Sequence, residues 1–267
     1  MCAESLTLAG GEEAILFVHG LASTPLELKY LAAKAHEAGY SAYVPYFKTF
    51  GYTQDRDHFN AMLWQDWYEE VRNVYLGLTK KHSKVHLCGL CAGGNLSLEI
   101  AAQNHEAVTG CTVILSPTIY YDGWGVYWIS FLFPLVDALG SLKKKFSYKE
   151  THPYGVKNET LRKVIQRAMK KDKVSASGGH EIPFHGISQE RKLIKANKES
   201  IKKITCPLLI IHSHYDETTS IKSAQYIEQG TKHVVSRVTL KDSYHMISID
   251  NEKEMVAKEM LIFIKNH

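Results

Sequence analysis

Short apolar runs of strand length alternate along the chain with segments whose apolar residues recur every three or four positions. Ala14, Ile15, Leu16, Phe17 and Val18 form a continuous apolar run, the pattern of a strand buried on both faces. Thr24, Pro25 and Glu27 follow as N-cap, first-turn proline and capping-box acid, and Leu28, Leu31, Ala35 and Ala38 keep helical spacing until Gly39. The same alternation predicts strands over 41–44, 84–88 and 110–115, a helix over 61–80 with Trp64, Trp67 and Val71 on one face, and a helix over 92–103. It resumes with a strand over 207–212, a helix over 220–229, a strand over 234–240 and a closing helix over 250–265. Strands and helices joined by short links imply an α/β fold, a mostly parallel, doubly wound sheet covered on both faces.

Between 117 and 206 the alternation fails. Tyr120, Tyr121, Trp124, Tyr127, Trp128, Phe131 and Phe133 crowd one stretch, and lysine-rich helical segments and a Ser-Ala-Ser-Gly-Gly loop follow. The division expected is a core of 1–116 and 207–267 with a helical cap or lid of 117–206, inserted after the strand that follows the helix over 92–103. If the insert folds over the strand ends, Tyr120, Trp124, Tyr127 and Trp128 are candidates for an apolar substrate pocket. They serve equally as the inner face of a cap helix.

Composition narrows the class. Hydrophobic residues make up 45% and charged residues 22% of the 267, which excludes a disordered chain. The longest uncharged stretch, 123–136, is shorter than the roughly 20 residues a spanning helix needs. The first eleven residues lack a basic start and an apolar run, and the five cysteines are an odd number in a chain too large to need stapling. Both point to reduced thiols and a cytoplasmic setting.

The net charge of +4 conceals a division: 141–203 holds 17 Lys and Arg against 6 Asp and Glu, and the remainder 15 against 22. Such a basic insert is most often a solvated face. Its functional version is a docking site for an anionic partner such as acyl-CoA, an acidic acyl carrier protein or a lipid surface. The basic residues fit no nucleic-acid-binding module. The histidines and acids lack metal-ligand spacing, and no cofactor is implied.

The strongest local signal is Gly89-Leu-Cys91-Ala-Gly93 between a predicted strand and a predicted helix, the context of a nucleophile elbow. Small residues two positions either side of the nucleophile let strand and helix pack closely. The helix N-terminus and a histidine are expected to lower the Cys91 thiol from its usual value of about 8.5. The bland alternative, a buried structural cysteine, loses ground to the rest of the chain. His19, Gly20, Leu21 and Ala22 follow the first buried strand, so the backbone N–H groups of Leu21 and Ala92 are candidate oxyanion donors. Asp216 follows the strand over 207–212, and His245 lies between the last strand and the last helix. Nucleophile, acid, histidine is the order this topology uses. His212 and His214 are the alternative bases, and Asp242 and Glu217 the alternative acids. Cys88 and Cys91 also form a Cys-x-x-Cys, but with Cys88 on the strand a dithiol role is disfavoured.

On His19-Gly20-Leu21, Gly89 to Gly94, Tyr215-Asp216 and Ser243-Tyr244-His245, the chain resembles the α/β-hydrolase superfamily, and within it small bacterial carboxylesterases and monoacylglycerol-lipase-like enzymes. The resemblance implies oxyanion donors at Leu21 and Ala92 and a triad of Cys91, His245 and Asp216. Two departures stand out. Many relatives carry a Gly-His-Gly turn where this chain reads Phe47-Lys-Thr-Phe-Gly51. Most carry serine at the elbow, where cysteine is similar to dienelactone hydrolases and polyhydroxyalkanoate synthases.

A cysteine nucleophile makes the acyl-enzyme a thioester, open to attack by amines and thiols as well as water. Three readings follow: an acyl hydrolase acting on a small-molecule ester or thioester, an acyltransferase passing the acyl group to an amine, alcohol or thiol, and a catalytically silent binding protein.

Overall fold

The computed structural model describes residues 4–103, 110–131, 133–231 and 235–267, with the side chains of Tyr127, Ile129 and Pro134 left out of that description. The first half of the chain runs through β1 (Leu6–Leu8), β2 (Glu13–Val18), α1 (Lys29–Glu37), β3 (Ser41–Val44), α2 (Arg56–Ala61) and α3 (Trp64–Thr79). β4 (Lys84–Leu90), α4 (Ala92–Gln103) and β5 (Thr112–Leu115) follow. Next come the short helices α5 (Tyr127–Ser130) and α6 (Phe133–Ala138), then β6 (Ser147–Lys149), α7 (Glu159–Asp172), β7 (Val174–Ser175), β8 (Gly178–Gly179), β9 (Glu181–Pro183) and α8 (Phe184–Ser200). β10 (Leu208–Ser213), α9 (Lys222–Gly230), β11 (Val235–Leu240) and α10 (Lys253–Lys265) close the fold.

Seven strands form one sheet in the order β1-β3-β2-β4-β5-β10-β11, and every pairing is parallel except that of β1 with β3. Successive side chains of β2 alternate between faces. Ile15 and Phe17 join Leu31 and Ala35 of α1 and Val256 and Met260 of α10. Ala14, Leu16 and Val18 join Trp67 and Val71 of α3 and Leu96 and Ile100 of α4. Burial on both faces is what the uninterrupted apolar run requires. Register pairs Val18 with Gly89, Leu90 with Leu115, and Ser213 with Leu240. The loops leaving these strands therefore emerge side by side at one end of the sheet, where ligands bind in open α/β folds.

Some boundaries differ from the pattern. The helix expected over 61–80 is two: α2 stops at Ala61, and α3 begins at Trp64 with the Leu63 N–H donating to the Asp66 carboxylate at 2.7 Å. An acid at the third helical position that takes the N–H of the residue before the helix favours a helix start there. The strand expected over 84–88 continues to Leu90. Asp250 is not helical: its carboxylate accepts the N–H groups of Lys157, Asn158 and Tyr244 at 2.8–2.9 Å, tying the last loop to the segment between β5 and β10. The expected strand start at Val234 lies outside the described residues. No helix among the described residues is long and apolar enough to cross a membrane.

The segment between β5 and β10 packs against the loops at the strand ends. Asn197 of α8 donates to the Asn95 carbonyl at 3.1 Å and to Glu99 Oε2 at 2.9 Å, Gly179 N–H donates to the Ala22 carbonyl at 2.9 Å, and Met246 N–H donates to the Gly155 carbonyl at 2.8 Å. At the far side, β11 is an edge strand whose exposed Arg237 pairs with Glu228 of α9 at 2.9 Å.

Candidate active site

Cys91 sits between β4 and α4 with φ +55°, a left-handed conformation that non-glycine residues rarely hold. The turn closes because its neighbours lack side chains. A Cβ on Gly89 would collide with the Gly93 backbone, and one on Gly93 with the carbonyl of Val18. The Cys91 N–H donates to the Leu115 carbonyl at 3.0 Å, which fixes the elbow to β5. Its Sγ lies 3.4 Å from the hydroxyl of buried Thr118 and the side chain is half-buried.

His245 occupies the loop between β11 and α10. Its Nδ1 lies 2.8 Å from Asp216 Oδ2, its carbonyl accepts from Ser116 Oγ at 2.7 Å, and its N–H donates to Glu217 Oε2 at 3.1 Å. The buried Nε2 has no hydrogen bond among the described residues, and Cys91 is close enough to act on the ring electrostatically. The other Asp216 oxygen accepts the N–H groups of Thr218 and Thr219 at 2.8 and 2.9 Å. Burial alone would raise this carboxyl, but His245, His212 and the Thr219 N–H together hold it below the usual range. Burial pulls the His245 ring down, and the Asp216 carboxylate, with Cys91, outweighs it and holds the imidazole well above the ordinary histidine value. Cys91 runs opposite to the lowering expected from the helix terminus: burial pushes its thiol up, only partly offset by His245 and Thr118. Desolvation of the sulfur is the largest influence on it and opposes the lowering favoured by the helix terminus.

The alternative bases and acids fall elsewhere. His212 lies near the end of β10, donates through Nε2 to the Thr219 carbonyl at 3.0 Å and stands 3.9 Å from Asp216, its pKa lowered by burial. His214 lies against Tyr215. Asp242 faces solvent and pairs with Lys157 at 2.8 Å. Cys88 is buried in the core, and burial pushes its thiol far up.

The turn after β2 lies against the elbow. A Cβ on Gly20 would stand 3.5 Å from that of Cys91. The N–H groups of Leu21 and Ala92 have no hydrogen-bond partner among the described residues. His19 is fully buried, donates from Nδ1 to the Gly20 carbonyl at 3.0 Å and accepts the Phe47 N–H on Nε2 at 3.1 Å; burial lowers its pKa to about 4. Neutral His19 thus links this turn to the Phe47–Gly51 stretch that departs from the family pattern, and Ala22 N–H reinforces the link by donating to the Phe50 carbonyl at 2.8 Å. Glu27 does not close a capping box on Thr24. Its buried carboxylate accepts the Gly20 N–H at 2.5 Å and the Ser23 hydroxyl, and Thr24 alone caps the short turn Pro25–Glu27.

Cys91 and His245 open into a cavity of about 140 Å³. Of the aromatic residues expected at the substrate, Tyr120 and Trp128 line an adjoining hollow of about 600 Å³ together with Arg191, Lys195 and Lys198. Trp124 is exposed, with its indole N–H on the Tyr215 carbonyl at 3.0 Å. The Tyr127 side chain lies outside the described residues. Tyr121 and Phe133 stand between the two and line both, and Tyr148 and Tyr154 line the nucleophile's cavity. So do four acids, Glu27, Glu150, Glu190 and Glu217, each pushed by burial to about 7. Glu217 had a sequence signal as the neighbour of Asp216; Glu150 and Glu190, inside a basic segment, had none.

Comparison with known proteins follows this geometry. Residues 11–253 match the family described as serine aminopeptidase, S33. The chain is similar to a thermostable monoacylglycerol lipase of Bacillus sp. (strain H-257), 24% identical over 99% of this chain and 95% of that one. It is similar to a carboxylesterase of Bacillus subtilis (strain 168), 21% identical over 97% of this chain and 95% of that one. Among solved structures, one of the metagenome-derived lipolytic enzymes LipS and LipT shares the fold with a TM-score of 0.78 at 21% identity, over 99% of this chain and 98% of that chain.

Proposed function

The chain belongs to the α/β-hydrolase family that its residues 11–253 match, and from that premise we propose that it is an acyl hydrolase cleaving an ester or thioester through a covalent intermediate on Cys91. The observation that carries the reading is the 2.8 Å pair of His245 Nδ1 with buried Asp216, with Nε2 left open beside the elbow cysteine. Relatives named for carboxylic-ester and monoacylglycerol hydrolysis support the bond type.

His245 Nε2 takes the thiol proton as Sγ attacks the acyl carbonyl, and Asp216 holds the ring in the required tautomer and stabilises the imidazolium. The N–H groups of Leu21 and Ala92 hold the oxyanion. Collapse breaks the bond to the leaving group, which departs with the proton from His245. Water, deprotonated by the same imidazole, then adds to the thioester, and the acid leaves as Cys91 regains its proton. Residues 117–206 serve as a cap that completes the cavity.

Intact-protein mass spectrometry with a short-chain p-nitrophenyl ester tests the reading. The expected result is a transient gain of one acyl group that disappears in Cys91→Ala. Undiminished turnover in Cys91→Ala would overturn it.

A further inference from the structure

The cavity beside Cys91 is acidic in a chain whose net charge is positive. Glu27 comes from the turn before α1, Glu150 from the loop after β6, Glu190 from α8 and Glu217 from the loop after β10. No Lys or Arg lines the same space among the described residues. Glu27, Glu190 and Glu217 are buried, at 1%, 2% and 7% exposure. Four carboxyls in one cavity face only the histidines His152 and His245 as possible cations among the described residues, and burying that many acids is costly unless more compensates them.

Two of the four have structural employment. Glu27 holds the Gly20 N–H and the Ser23 hydroxyl, and Glu217 holds the His245 N–H. Glu150 and Glu190 remain. Glu190 Oε2 accepts the Tyr121 hydroxyl at 2.5 Å, while its other oxygen is buried with no hydrogen-bond partner among the described residues. Glu150 accepts no hydrogen bond among the described residues, yet it acts electrostatically on His245. A metal ion is not the complement, because no three of these groups gather closely enough to ligate one among the described residues. A dispersed organic cation needs no such convergence. It needs negative charge on several walls and at least one free acceptor.

We infer that the substrate carries a positively charged nitrogen, a protonated amine or a quaternary ammonium, held between Glu150 and Glu190 beside the scissile acyl group. This rests on the cavity being the acyl-transfer site and names the class of ester or thioester it takes. It also sets the anionic partners suggested by the basic segment apart from the nucleophile: Arg191, Lys195 and Lys198 line the neighbouring hollow with Tyr120 and Trp128, and none of that segment's Lys or Arg lines the cavity of Cys91 among the described residues.

The test reads charge selection at Cys91 without requiring turnover. The full chain is treated separately with 2-aminoethyl, ethyl and 2-sulfonatoethyl methanethiosulfonate. In each case the Cys91 thiolate attacks the sulfenyl sulfur, a disulfide forms and methanesulfinate leaves. Rates of Cys91 modification, read by peptide mass mapping, are divided by those for a free small thiol. The expected order is cationic over neutral over anionic, with at least tenfold between the extremes, and Glu190→Gln and Glu150→Gln each narrow the spread. Equal normalised rates, or a preference for the sulfonate, would overturn the inference even if ester hydrolysis is intact. A pair of isosteric substrates, β-alanyl and butanoyl p-nitrophenyl esters, then places the cation: preference for β-alanyl puts it in the acyl part. Preference for butyrylcholine over 3,3-dimethylbutyl butyrate puts it in the leaving group. Absence of acylation by all four would defeat the hydrolase reading without touching the labelling order.

Discussion

The carboxylate of Glu27 accepts the backbone N–H of Gly20 at 2.5 Å, bracing the turn whose next residue, Leu21, carries an N–H without a hydrogen-bond partner among the described residues. A buried acid therefore positions a backbone group rather than touching the reacting atoms. Glu27→Ala strands two buried donors, the Gly20 N–H and the Ser23 hydroxyl, at a cost of about 2–4 kcal/mol. Because it loosens an oxyanion donor, kcat is expected to fall about tenfold or more with little change in KM. Glu27→Gln keeps an acceptor and is expected to recover most of kcat. Equal losses in both variants would mean that the charge, not the bracing, matters.

Asp216→Asn keeps the shape of the site but presents an amide to His245 Nδ1. The ring then adopts the wrong tautomer, and kcat for a p-nitrophenyl ester is expected to drop by about 10³–10⁴-fold. The Thr218 and Thr219 N–H bonds can persist on the amide oxygen, so thermal stability should change far less than activity. A variant retaining a tenth of wild-type kcat would remove Asp216 from the triad.

Burial raises the Cys91 thiol above its ordinary value. A group raised in this way stays protonated through neutrality, so alkylation of Cys91 by iodoacetamide should climb steadily with pH and still be rising at about pH 9. A plateau reached near pH 6–7 would instead reveal a resting thiolate–imidazolium pair.

Much of this geometry was legible in the order of residues. The apolar run at 14–18, the glycines at 89 and 93 and the slots of Asp216 and His245 are set by local pattern and topology, and each lies where the pattern puts it. What escaped depends on which side chains meet across distant segments. Glu190 and Glu150 stand in a segment of high positive charge and look solvated until α8 folds onto α4. Glu27 has capping-box spacing, yet its carboxylate finds Gly20 nearer than Thr24. The aromatic run was recognisable, but which of its rings faces Cys91 follows from the turn between β5 and α5, where Tyr121 enters the cavity and Trp124 leaves it. The thiol shift was missed because sequence shows the helix terminus and hides the desolvation.

Glu190 is pushed by burial to about 7, above the ordinary carboxylate value. A carboxyl raised in the folded state keeps its proton longer there than in the unfolded chain. Its contribution to stability is full below about pH 4.5 and is lost as the pH rises through about 7. Glu190→Gln removes that loss, so its unfolding free energy relative to wild type should improve between pH 5 and pH 8, by up to about 3 kcal/mol. A difference that stays flat across this window would mean that the acid is already compensated.

Gly93 has the Val18 carbonyl where a Cβ would go. Gly93→Ala must push β2 away from α4, and the expected cost is about 2–3 kcal/mol, seen as a lower urea midpoint with an unchanged slope. An unshifted midpoint would show that strand and helix can separate freely.

The open edge of the sheet at β11 bears on how the molecule behaves in company. Unpaired strand edges invite a neighbour's strand, and a charge midway along the edge is a common deterrent. Arg237, exposed on β11 and anchored by Glu228, makes any lateral annealing of a second sheet bury a guanidinium. The charge on that edge therefore opposes lateral strand pairing there.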